Sequence, residues 1–169
     1  MRAPRTTLLF FLLIECLPLF LGGCALVGSS EERLRHAKGY NVSPAASWKA
    51  QNPQDGDSAY RLPSGAVVTL VSSCGRSETT PLNVLARQLL FGLRNLTVGT
   101  REKREFGPNQ GLFTKAEGVM SGTKLYLELF TTVSQSCVFD FSMINPRAIP
   151  LVDEQQFFAY LSSFRYGNH

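Results

Sequence analysis

At 169 residues the chain is long enough for one domain with a single core and a tail, and too short for two domains of ordinary size. An apolar content of 44%, twelve phenylalanines and a charged fraction of only 18% exclude a disordered chain. The net charge of +4 is too small to argue for nucleic acid as a partner, and the densest basic cluster, Arg101, Lys103 and Arg104, is interrupted by Glu102 and Glu105 with no aromatic ladder beside it.

The chain opens with Arg2 and Arg5 and no acid before the apolar run 8–21, which is short of the ~20 residues a helix needs to cross a bilayer. Glu15 and Pro18 break that run and speak against an uncleaved anchor. The run ends in Leu21-Gly22-Gly23-Cys24, which looks like a bacterial lipobox. Two glycines admit a peptidase close to the backbone, and the thiol that follows is the nucleophile for a diacylglycerol. Residues 1–23 therefore read as a lipoprotein signal peptide, with Cys24 as the lipid site and a membrane as the first partner; an ordinary cleaved signal stays open. Ala25 rather than Asp after the cysteine suggests, by analogy with enteric sorting, the outer membrane facing the periplasm.

Residues 24–57 lack apolar periodicity and are rich in Ser, Pro, Gly, Asn and mixed charge, so they read as a flexible tether that lets a domain at 58–169 clear the headgroups. Two pieces resist: residues 31–38 can form a helical turn or two, and Trp48, the sole tryptophan, is expected to dock on the domain. Cys16 leaves with the signal, so Cys74 and Cys137 are the pair left in the domain, and an exported pair usually bonds. Two buried free thiols remain the other reading.

From residue 58 the pattern is one of short strands. Residues 59–62, the turn Pro63-Ser64-Gly65 and the β-branched run 66–74 predict a hairpin with a buried second strand. Thr80 as cap and Pro81 at the first helical position introduce a helix with Leu82, Leu85, Ala86, Leu89, Leu90 and Leu93 on one stripe. Four strands follow between residues 95 and 144, with turns at 107–111, 121–122 and 134–136. Leu125, Leu127 and Leu129 alternate with Tyr126, Glu128 and Phe130, while Cys137, Phe139, Phe141 and Met143 alternate with Val138, Asp140 and Ser142. Residues 97–106 are polar on both sides and belong at an edge. After Pro150 a second helix is expected, with Asp153 as cap, Gln156 reciprocating, Val152 stapled to Phe157, the stripe Phe157, Phe158, Leu161 and Phe164 on the sheet, and Gly167 at its end. The fold class is α+β, an antiparallel sheet built as hairpin, helix, four-stranded meander and C-terminal helix. In it the ends of the strands holding Cys74 and Cys137 can lie together as antiparallel neighbours.

That order, with residues 60–65 before the first buried strand, Ser121-Gly122 in the meander and Ser163-Phe164 near the end, resembles the PsbP-like superfamily over about residues 58–167, including bacterial lipoproteins similar to DcrB. The resemblance implies a docking subunit with no shared catalytic residues.

The residues themselves point the same way. Catalysis needs a nucleophile, a base and an orienting group, or a ligand cluster for a metal. The two histidines, His36 and His169, fall in the tether and at the last position. Glu128 and Asp140, the best-placed strand carboxylates, read as outward-facing; no zinc-type cysteine spacing occurs, and residues 107–111 lack the lysine of a phosphate loop. Asn41-Val42-Ser43 and Asn95-Leu96-Thr97 match glycosylation sequons of a kind that arises by chance. The expectation is a non-enzymatic binding module without cofactor or metal, with an envelope protein as its partner. That partner would meet a lip made by Arg101, Lys103, Arg104, Asn109, Gln110 and Phe113. The alternatives are an accessory of an envelope lipid or solute transport system, with Phe91, Phe106, Phe113 and Phe130 lining an apolar cavity between helix and sheet, and, further off, a hydrolase.

Overall fold

The computed structural model describes residues 35–53, 56–75 and 80–167. The signal, Cys24 and His169 lie outside the described residues. Among the described residues seven strands and two helices follow in order: β1 (Lys49–Gln51), β2 (Ser58–Arg61), β3 (Val67–Cys74), α1 (Leu82–Gln88), β4 (Arg94–Phe106), β5 (Asn109–Met120), β6 (Thr123–Ser134), β7 (Cys137–Asn145) and α2 (Leu151–Ser163). The strands form one antiparallel sheet in the order β1-β2-β3-β7-β6-β5-β4. The N-terminal hairpin and the meander are thus joined through β3 and the last strand, β7, and the polar β4 is the outermost strand, as its composition predicts.

Both faces of the sheet are covered, and this reassigns the alternating residues of β6. Residues opposite one another on antiparallel strands share a face. Phe130 stands opposite Phe141 and Phe113, and Glu128 opposite Met143 and Lys115, whereas Leu127 pairs with Ile144 and Ala116. The phenylalanine row, with Val68, Leu70, Phe139, Phe141 and Met143, packs under Phe157, Tyr160, Leu161 and Phe164 of α2 and its end. The leucine row, Leu127 and Leu129 with Ala116, packs under Leu90 and its neighbours Leu89 and Leu93 beyond α1. Complete burial of each such side chain is worth roughly 1.5–3 kcal/mol. Tyr160, which the expected stripe omits, is 1% exposed at the centre of the larger core.

The connections decide where the strands start. Gly107 (φ +59) and Pro108 make a two-residue link, with Phe106 and Asn109 already paired, so the turn is shorter than the expected 107–111. A positive φ at the first central position, then proline, suits a type II′ hairpin. Ser121 (φ +50) and Gly122 (φ +82) make the next one, and Gln135 (φ +48) with Ser136 (φ +61) the last.

Neither helix begins as expected. The N-cap positions are Pro81 and Pro150, and no side chain caps either helix, so Thr80 and Asp153 are not caps. Asp153 is instead buried in the first turn of α2, and Gln156 accepts a hydrogen bond from Trp48 Nε1 at 2.8 Å rather than closing a capping box. The α1 stripe runs past the helix because residues 89–93 continue as tightened turns, Leu90 N–H to Arg87 O and Phe91 N–H to Gln88 O. The C-terminal helix stops at Ser163, with Phe164 already extended, earlier than the expected end at Gly167.

The folded unit begins well before residue 58. Arg35 bridges to Cys74, and Asn41 exchanges two backbone hydrogen bonds with Arg165 at 2.9 and 2.8 Å. Ala37 N–H donates to Ser72 Oγ, and β1 pairs with β2. Trp48 is buried against Tyr60 and Tyr160 at ring distances of 5.9 and 5.2 Å. Residues 35–53, expected within a tether, are the outer edge of the domain. Their polar composition misleads because backbone pairing and one indole hold them, and neither leaves a periodic trace.

Candidate functional site

The expected lip lies where β4 turns into β5, and its six residues divide three ways. Arg101 and Lys103 are exposed, opposite Thr114 and Leu112 on the α1 side of the sheet. Arg104, opposite Gly111, is on the other face, laid over the rings of Phe113 and Phe158 at 4.8 and 5.4 Å, while its Nε donates to Glu102 at 2.6 Å. Gln110 is exposed and donates to Glu105 at 3.2 Å.

The other two are structural. Asn109 donates to the carbonyls of Phe106 at 3.2 Å and Phe164 at 2.9 Å, tying the hairpin to the end of α2. Phe113 is 0% exposed, so it cannot meet a partner, and the expected surface is corrected there: its parity puts it on the α2 face. What remains at the surface is Arg101, Lys103, Gln110 and the rim of Arg104.

The phenylalanine cavity is also filled. Phe106 packs on Phe130 and Phe158 at 5.0 Å each, Phe113 on Phe158 at 5.4 Å, and all but Phe158 are in the buried core. Phe91 is far from them in kind, 89% exposed beyond α1. A groove of about 530 Å³ does exist, but it lies on the hairpin side, bounded by Ala59, Arg61, Val67, Thr69 and Val71.

Between α2 and the sheet the structure gathers a charged cluster that alternation alone does not announce. Lys115 Nζ lies 3.0 Å from Glu128 and 2.6 Å from Glu154. Glu128, expected to face outward, is 3% exposed, because its strand neighbours on that face are covered by the helix. Burial pushes its carboxyl above the usual carboxylate range, against the pull of Lys115. Burial works to lower the Lys115 ammonium too, but its hydrogen bonds to Glu154 and Glu128 prevail and raise it. Asp140 is half-buried and accepts from Thr131 Oγ1 at 2.8 Å, on the α1 face. His36, expected in the tether, is held 2.9 Å from Asp57, with its side chain 57% exposed. No group of three or more metal-ligating side chains occurs among the described residues.

No protein family matches the sequence at the level of a family profile, and no curated protein matches it either. Solved structures do match the fold. The solution structure of CyanoP, the cyanobacterial PsbP of Synechocystis sp. PCC 6803, superposes with a TM-score of 0.57 at 15% identity, over 86% of this chain and 98% of that one. The fold is PsbP-like. A second match, a protein from Bacteroides thetaiotaomicron VPI-5482, gives a TM-score of 0.58 at 10% identity, covering 76% of this chain and 45% of that chain. This chain therefore spans less than half the length of the Bacteroides protein.

Within this PsbP-like sheet, Cys74 and Cys137 are opposite residues on β3 and β7, and they are joined with an S–S distance of 2.01 Å. Cys74 N–H turns away to Arg35 O at 2.7 Å, so the two cysteines form a non-hydrogen-bonded pair, the closer of the two kinds. The bond joins the pair expected from the sequence. The Lys115 cluster had one legible signal, a lysine and two glutamates on otherwise apolar faces, but only strand register brings them together.

Proposed function

We propose that this domain is a non-enzymatic docking module of a bacterial cell envelope, held to the membrane by lipid on Cys24 and engaging an envelope protein along β4. The outer membrane, facing the periplasm, is the favoured location because Ala25 follows the cysteine. The observation that carries the docking reading is β4 itself. It is a thirteen-residue strand at the outer end of the sheet, exposed at all but three of its positions.

An edge strand presents backbone groups on which an extended segment of another chain can add. Register shifts disturb β4 before Thr100, whereas the stretch 100–106 pairs regularly with β5 and offers Arg101 and Lys103 on one row. An acidic extended segment fits that row. The fold match to CyanoP supports the architecture of the module and goes no further.

The test places a photo-crosslinking residue at position 103 in the native envelope, with mass spectrometry of adducts. A protein adduct that is lost in Arg101→Glu/Lys103→Glu is expected; lipid adducts alone, or a protein adduct indifferent to charge reversal, overturn the docking reading. Anchoring is checked separately. Cys24→Ala should lose its membrane association in a carbonate wash, and full retention would rule out attachment through Cys24.

A further inference from the structure

Residues 80–101 lie in the longest stretch after the hairpin without an acid, and they carry Arg87, Arg94 and Arg101. The same stretch holds Val84 (44% exposed), Phe91 (89%), Leu96 (41%) and Val98 (39%), half of the large apolar side chains that are exposed among the described residues. Val84, Arg87, Gln88 and Phe91 border one surface depression of about 500 Å³.

Strand parity collects more of this surface on the α1 side of the sheet. Val98 stands opposite Ala116, which packs with Leu90. Gly118 lies against Leu93, where a Cβ would be 3.1 Å from the leucine Cβ, so residue 120 of the same strand shares that side, and Met120 is 43% exposed. The core side chains of this segment, Leu85, Ala86 and Leu90, are buried, so the exposed ones are surplus to folding.

We infer that the α1 side, with Phe91 as its tip and Arg87 beside it, is a docking surface for the anionic headgroups of a lipid bilayer. Charge complementarity selects this occupant. An arginine in a stretch without any acid attracts anionic lipid, and an aromatic ring on an exposed turn enters the boundary between headgroup and acyl chain. A binding groove for a folded protein would surround its anchor, whereas Phe91 stands out from the surface. The inference rests on the envelope reading above but not on lipid at Cys24, and it leaves the β4 edge free for a protein.

The experiment uses the chain isolated from the envelope, reconstituted on vesicles of phosphatidylglycerol and phosphatidylcholine whose acyl chains carry bromine as a contact quencher. Phe91→Trp is the reporter, and the parent chain is the control, because its lone Trp48 is 7% exposed in the α2 core. The added tryptophan should be blue-shifted and quenched on anionic vesicles. Both effects should be lost in Phe91→Trp combined with Arg87→Glu, and should weaken in 1 M salt, where the screening length falls to about 3 Å. An unquenched, solvent-like emission overturns the inference, and so does quenching that is equal on pure phosphatidylcholine. Vesicle flotation of the same samples reads anchoring independently, so loss of flotation counts against the lipid on Cys24 while the quenching still judges Phe91.

Discussion

Glu128 owes its protonation behaviour to where β6 places it, 3% exposed under α2 with Lys115 as its cation. Burial raises its folded-state pKa, so the folded chain holds this proton more tightly than the unfolded chain does. The stability it contributes is complete below the unfolded value, about 4.3, and is lost as pH rises through the folded value. Glu128→Gln removes that loss. In urea unfolding the variant should therefore gain on the parent as pH is raised from 4 to 7, and parallel stability profiles would refute the account. Lys115 follows the same sign at higher pH, since a raised lysine contributes stability below its unfolded value and loses it in stronger alkali. Tyr160 is driven the same way by burial, its phenol held well above the usual tyrosine range in the α2 core. Sequence alternation correctly separated Glu128 from Leu127 and Leu129. It could not say that the glutamate's face would be covered, because both faces of this sheet carry a helix.

Among the elements, the β6–β7 hairpin is the one built against local preference. Gln135 and Ser136 both adopt positive φ, +48° and +61°, without a glycine between them. A left-handed conformation costs a non-glycine residue about 1 kcal/mol or more, while the twist of the flanking strands favours a turn of this kind. Ser136→Gly should raise the unfolding free energy by about 1 kcal/mol, read as a higher urea midpoint at unchanged slope. No gain would mean that the side chain at 136 contributes contacts worth as much as the backbone cost. The expected signal at residues 134–136 located this turn but not its conformation. β1 shows the opposite failure: three exposed residues, Lys49–Gln51, have no alternation to read, and their strand exists because β2 offers an edge and Trp48 fastens the segment beside it.

For the whole molecule, the bond between Cys74 and Cys137 closes a loop of sequence separation 63 that contains α1 and the β4–β6 part of the meander. Restricting the unfolded chain by such a loop is worth about 4 kcal/mol on the chain-entropy account. Reduction, or Cys74→Ser with Cys137→Ser, should lower the unfolding free energy by about that amount while the fold is kept at low denaturant. The check is urea unfolding with and without reductant, together with alkylation and intact mass. Two alkylated thiols in the native, unreduced protein would show that the bond is not made.

Much of this architecture was written in local pattern. Period-two runs set β2, β3 and the meander, the leucine and phenylalanine stripes set two helices, and polarity on both sides sent β4 to an edge, because each depends on residues close in the chain. Tertiary structure alone decided the rest. The pairing of β3 with β7 aligned the two cysteines, register put Phe113 and Glu128 inside rather than at a lip or outside, and long-range hydrogen bonds drew residues 35–53 into the domain. The physical reason is that a strand's period tells which residues share a face but not which partner covers it. Covering depends on contacts between segments separated by tens of residues, as Trp48 and Gln156 are.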